Sequence, residues 1–215
     1  MLILLPPSEG KHLPTTSKKL NLGTLSFADQ LTEARSSTLK ELKIDISHCE
    51  EAISVYSGVL YQGLVYETLN SAARKRAEKA ILIISAVFGA LKIKDVIPFY
   101  KAKIVPSHWK GPLAEALDGL DEQLIVDMRS STYLSVWTPN PLNTVGIRIF
   151  TKVDGEKKVI THMSKKYRGE IARYLLEQKS EPTSPVELYK LIAVNFKCTL
   201  IKPVGKKSWF IDVIV

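Results

Sequence analysis

The chain has 215 residues, 45% of them hydrophobic, which is enough to bury a core of its own as one large domain. Thirty Lys and Arg against 22 Asp and Glu give a formal net charge of +8, a field that favours a polyanionic partner, either nucleic acid or a phosphorylated small molecule. No stretch approaches the roughly 20 apolar residues of a membrane span, and Met1 to Leu5 runs into Pro6-Pro7 rather than a cleavage pattern, so no membrane association and a cytoplasmic location are expected.

Leu2-Ile3-Leu4-Leu5 is apolar throughout and is closed by two prolines that lack the amide hydrogen a ladder needs, which predicts a buried strand stopping at Pro6. Ser8-Glu9-Gly10-Lys11 follows as a polar loop at the strand end. It lacks the upstream glycine and the following Ser or Thr of a phosphate-binding P-loop. From Phe27 to Ile44, Phe27, Leu31, Ala34, Leu39 and Leu42 recur at helical spacing with Ser26 as the cap, giving one helix or a pair broken near Ser36-Ser37. Tyr56 to Leu64 holds two tyrosine pieces separated by Gly58 and Gly63, which indicate close backbone approach or positive φ. Tyr66 to Lys79 reads as an Ala-rich helix whose basic residues face solvent.

Ala80 to Ile84 is an unbroken apolar run, the pattern of a strand covered on both faces. Phe88-Gly89-Ala90-Leu91 is expected to form a turn or short helical piece, and five lysines lie between Lys92 and Lys110 against the single acid Asp95. Chain leaving a buried strand is held rigidly at the surface, so the functional surface is placed here; the competing reading makes Lys92, Lys94, Lys101 and Lys103 the solvated face of an edge strand. Pro112 to Leu120 predicts a short amphipathic helix, and Gln123 to Met128 a second strand that runs into the polar stretch Asp127 to Tyr133.

Val145 to Val153 alternates, and with Asp154-Gly155 as turn and Lys158 to His162 as return it predicts a hairpin. Met163 to Gln178 is the strongest helix. Lys165, Lys166, Arg168 and Arg173 project near its first turns, where each can meet a phosphate oxygen. A second helix follows over Val186 to Val194. Cys198 to Pro203 and Ser208 to Val215 then close as an antiparallel pair around Gly205-Lys206-Lys207. This interleaving, without repeats or a linker, predicts a single compact α+β domain over 1–215 with a mixed sheet flanked by helices.

The motifs taken in order resemble the YaaA family of bacterial peroxide-stress-response proteins. The likeness lies in Leu4 to Lys11, in Tyr56 to Leu64, in Ser85 to Ile104, in Val126 to Trp137 and in Ser164 to Arg173. What the resemblance implies is a mixed α/β domain that binds double-stranded or structured DNA in a basic cleft with low sequence specificity. It further implies a role in limiting oxidative DNA damage during peroxide exposure, associated with lowered intracellular iron. Carried over position by position, Lys11, Lys92, Lys101, Arg129, Lys165, Lys166, Arg168 and Arg173 become the cleft cations. The segment from Ser26 to Ile53 is shorter than the family's helix-hairpin-helix element and lacks its Gly-containing hairpin.

Two function classes follow. In the first, a non-catalytic DNA binder, cations contact phosphates, while tyrosines such as Tyr56, Tyr61, Tyr100 and Tyr133 either stack on unpaired bases or pack in the core. In the second, an enzyme acting on a nucleotide or damaged base, Ser8, Glu9, Asp95 and Asp127 near strand ends join Tyr56, Tyr61 and Tyr100 in a cationic pocket, where two of the carboxylates serve as acid and base; the competing role for these acids is to balance nearby lysines. Cys49 and Cys198 belong to no CxxC or Cys/His grouping and the four histidines are scattered, so neither a metal site nor a cofactor is expected.

Overall fold

Every residue from Leu2 to Leu5 is buried, and this short strand, β1, stands in the interior of the sheet that orders the chain. The computed structural model describes residues 1–153, 156–159, 161–205 and 207–215. After β1 come α1 (Ala28–Glu41), β2 (Cys49–Glu51), α2 (Ala52–Val55), α3 (Val59–Leu64) and α4 (Ser71–Ala80). Then follow β3 (Ile81–Ser85), β4 (Gly89–Lys92), β5 (Val96–Pro98), α5 (Pro106–Leu117), β6 (Ile125–Asp127) and α6 (Ser131–Leu134). The chain closes with β7 (Thr144–Val153), β8 (Glu156–Val159), α7 (Thr161–Glu177), α8 (Pro185–Ile192), β9 (Cys198–Ile201) and β10 (Trp209–Ile214).

The main sheet runs β4-β3-β1-β6-β7-β10-β9, with β8 paired to the far end of β7. Its five inner strands, β3, β1, β6, β7 and β10, are parallel, while β4, β8 and β9 join antiparallel. The sheet is therefore mixed and helix-flanked, as the interleaving predicts. β1, and β3 up to its last residue Ser85, are apolar and covered on both faces, which is the burial parallel strands require. A two-stranded antiparallel piece, β2 with β5, lies apart. No helix among the described residues is long and apolar enough to cross a membrane.

Several local expectations change. Phe88-Gly89-Ala90-Leu91 is no helical piece: Gly89, at φ +67, turns the chain back so that β4 pairs with β3 from Ser85↔Gly89 to Leu82↔Lys92. The indole of Trp109 fills the space a side chain there would need, 2.6 Å from the ideal Cβ position. Ser26 does not cap α1, whose first turn is entered through Phe27 at φ 59; Ser26 donates to Asp95 instead, from both its amide and its hydroxyl at 3.0 Å. The helix runs unbroken through Ser36-Ser37, and no helical hairpin follows, because the chain passes from α1 through a loop into β2. α5 begins at Pro106, six residues before the predicted start, and carries Pro112 in its interior. The hairpin of β7 and β8 forms, but its predicted turn, Asp154-Gly155, lies outside the described residues, as does Lys206 between β9 and β10. The return strand ends at Val159, and α7 starts at Thr161.

Candidate functional site

Because β3, β1 and β6 are parallel, their C-terminal ends lie on the same side of the sheet. The chain leaves β1 toward β3 on one flank and later returns to β6 on the other. This divergence opens a crevice beyond the strand ends, the place where open α/β sheets bind ligands. A cavity of about 680 Å³ occupies it. The loop after β1 (Pro6 to Gly10), the start of α3 (Gly58 to Leu60), Ala102, the entry to α6 (Ser130, Ser131, Tyr133) and the first turns of α7 (Ser164, Lys165, Arg168) line it.

Backbone proximity fixes two of these walls. A Cβ on Gly58 would lie 2.6 Å from that of Ser8, so the loop after β1 rests directly on the start of α3. α3 and α7 cross through a glycine pair: a Cβ on Gly169 would stand 1.9 Å from the Leu60 carbonyl, and one on Gly63 2.3 Å from that of Lys166. The sequence signal at Gly58 and Gly63 thus resolves to close approach, with Gly58 at φ −68.

Of the predicted site residues, Ser8, Glu9, Lys165 and Arg168 meet in this cavity. Arg168 is half-buried. Its Nη1 donates to the Met128 carbonyl at 3.4 Å, and its Nε, buried, has no hydrogen-bond partner among the described residues. Burial lowers its pKa, opposed by the nearby Asp127 carboxylate. Lys165 and Lys166 are exposed on the same turn, Lys166 with a long 3.7 Å contact to Glu170, and Lys101 is exposed next to Ala102.

Lys11 sits behind the loop rather than on the rim. Its Nζ donates to the Ser8 carbonyl at 2.6 Å and lies 4.2 Å from the centroid of the Tyr100 ring. Burial holds its pKa down to about 8, against the pull of Glu9. Beneath it, Ser85, Tyr100 and Tyr56 form a hydroxyl chain with 2.8 Å links, and Tyr61 donates to the Pro6 carbonyl at 2.9 Å. Burial raises the pKa of all three phenols, which pack in the core under the cavity floor. Tyr133, half-buried, lines the cavity itself; burial, then Glu9, raises its pKa to about 12.

The remaining predicted residues are placed elsewhere or engaged internally. Lys92 pairs with Leu82 near the start of β3, so it lies at the opposite end of the sheet, beside a smaller cavity of about 320 Å³ lined by Ser26, Phe27 and Lys79. Asp95 is at that end too, accepting from Ser26 and from the Lys92 amide. Arg129 is buried against Asp127, with Nη2 to Oδ2 at 2.7 Å and Nε to Oδ1 at 3.0 Å, and its Nη1 donates to the Tyr133 and Trp137 carbonyls. Arg173 ties α7 to the end of α3 through the Leu64 and Val65 carbonyls and Thr68, and pairs with Glu177 at 2.8 Å.

The family model described as "Peroxide stress protein YaaA" matches residues 1–199. The chain belongs to this YaaA family. It is 30% identical over 259 aligned positions to a UPF0246 protein of Streptomyces coelicolor, spanning 100% of this chain and 98% of the relative. It is also 32% identical over 227 positions to a UPF0246 protein of Corynebacterium efficiens, spanning 87% and 90%. In this YaaA-family chain the segments that carry the sequence likeness, Leu4 to Lys11, Tyr56 to Leu64, Ser85 to Ile104, Val126 to Trp137 and Ser164 to Arg173, each contribute lining to the cavity or support it from below. Sequence reasoning missed Val59, Leu60, Ala102, Ser130, Ser131 and Ser164. The signal for them was their place in the segments that carry the family likeness.

Proposed function

We propose that this chain binds double-stranded or structured DNA through its phosphates, with low sequence specificity, as part of the cellular response to peroxide. In this reading it limits oxidative DNA damage and is associated with lowered intracellular iron. Family membership supports the stress context. The observation that carries the DNA reading is the crevice at the ends of β1 and β6, with Lys165 and Arg168 on its wall and Lys101 and Lys166 exposed around them. The two cations on the wall both stand on α7, and with the exposed Lys166 beside them and Lys101 on the segment that carries Ala102 they make a positive surface that attracts a backbone of regularly spaced phosphates. Two cysteines far apart in the chain and four scattered histidines offer little to bind iron, so the iron effect is read as indirect.

Each phosphate contact adds about 0.9 to the slope of log affinity against log salt. Replacing Lys101, Lys165 and Lys166 together by Ala is expected to lower that slope by about 1 to 3 for a short duplex, measured by fluorescence anisotropy from low to moderate salt. An unchanged slope removes this face from the DNA site.

A second reading, an enzyme acting on a nucleotide or damaged base, is favoured by Glu9 and Tyr133, a carboxylate and a phenol on one cavity wall. Asp127, held by Arg129, and Asp95, at the other end of the sheet, take no part in it. Incubation with nucleotides and lesion-bearing oligonucleotides that yields no new product rejects it.

A further inference from the structure

The crevice is more than a charged surface. Exposed lysines meet duplex phosphates without a hollow between them, whereas this hollow holds about 680 Å³, within the roughly 300–1,000 Å³ of small-ligand pockets. Its lining offers both kinds of surface: Pro6, Pro7, Val59, Leu60 and the Tyr133 ring are apolar, while Ser130, Ser131, Lys165 and Arg168 bring hydroxyls and positive charge, with Glu9 as the one carboxylate among the lining residues. Arg168 lines the hollow with a guanidinium that holds one long hydrogen bond, from Nη1 to the Met128 carbonyl at 3.4 Å. A flat ring joined to a phosphate satisfies both kinds at once: the ring removes apolar surface from water and the phosphate meets Lys165 and Arg168.

We propose that the cavity holds one nucleotide, its base against Pro7, Leu60 and Tyr133 and its phosphate against Lys165 and Arg168. This rests on the DNA reading in taking that nucleotide from a strand, unpaired and turned out of the stack; a free mononucleotide has the same chemistry and is the other source. An unpaired base enters at little cost because it has no partner to leave. Stacking on an aromatic wall then favours it over a site that lacks a base.

The test compares three labelled duplexes of equal length at one ionic strength: fully paired, with one bulged nucleotide, and with the bulged position abasic. Deoxynucleoside monophosphate is titrated separately by calorimetry. The bulged duplex is expected to bind about tenfold tighter than the paired one, and the abasic bulge is expected to lose that advantage. Tyr133→Ala, and Ser131→Trp to fill the hollow from an exposed position, are expected to abolish the preference, so that bulged and paired duplexes bind each variant equally. Equal affinity for all three duplexes without mononucleotide binding overturns the inference and leaves DNA binding standing. Mononucleotide binding blocked by Ser131→Trp, with no duplex binding, makes the free nucleotide the occupant and overturns the DNA reading. No binding in any arm overturns both.

Discussion

Arg129, Arg173 and Lys165 carry the same charge and differ in what surrounds it. Arg129 has a carboxylate and two carbonyls within hydrogen-bond distance, and removing it would leave Asp127 buried without its cation. Arg173 is occupied by α3 and Glu177, whereas Lys165 extends from α7 onto the cavity wall. Residue type alone makes these three equal candidates; only the fold separates them. Lys11 shows the same effect in its ionisation. Folded Lys11 loses its proton near pH 8 because it is buried, and unfolded Lys11 near its ordinary 10.5. Below about pH 8 both states are charged and the burial cost is present in full. Between about 8 and 10.5 the unfolded chain binds more protons, so stability contributed at this site rises with pH. The stability of the wild type minus that of Lys11→Met, from urea denaturation at pH 7 and pH 9.5, is therefore expected to increase. A difference that stays flat or falls would show that the ammonium, over the Tyr100 ring, keeps its proton through this range.

At the scale of elements, the α3–α7 crossing sets the shape of the cavity, because Leu60 and Lys165 line it from the two helices that meet there. Alanine is normally the better helix former by about 1 kcal/mol, which predicts gain for any Gly→Ala in a helix. At Gly169 the crossing reverses that sign, since the added methyl would meet the Leu60 carbonyl. Gly169→Ala is expected to cost about 2–3 kcal/mol by overpacking. Gly111, within α5, has open space around it and is the internal control: Gly111→Ala is expected to stabilise by about 0.5–1 kcal/mol. Equal effects of the two substitutions in urea denaturation would refute the close crossing. The elements themselves were largely readable. β1 and β3 are unbroken apolar runs closed by polar or proline residues, and α7 has a clear helical stripe. β4 was not readable, because all of Phe88 to Leu91 is buried and shows no alternation from which to tell strand from turn.

Across the whole molecule, the order of strands decides which residues can act together. Ser8, Tyr133 and Lys165 are far apart in the chain, yet they line one cavity because β1 lies between β3 and β6 and all three run in one direction. Lys92 is only seven residues after Ser85 but ends at the other side of the sheet, since β4 runs back along β3. Proximity in sequence therefore misplaced Lys92 and Asp95, and the position-by-position carry-over from the family misplaced Lys92 with it, although the likeness segments as wholes do converge on the cavity. Parallel pairing is invisible in any one strand, which is why the crevice emerges only from the assembled sheet. Hydrogen–deuterium exchange on the intact chain, with and without a bulged duplex, addresses the account most directly. Slowed exchange confined to Pro6 to Gly10, Ser130 to Leu134 and Met163 to Arg168 is the predicted result. Protection centred on Ser26, Lys79 and Lys92, with those three segments unchanged, would contradict it.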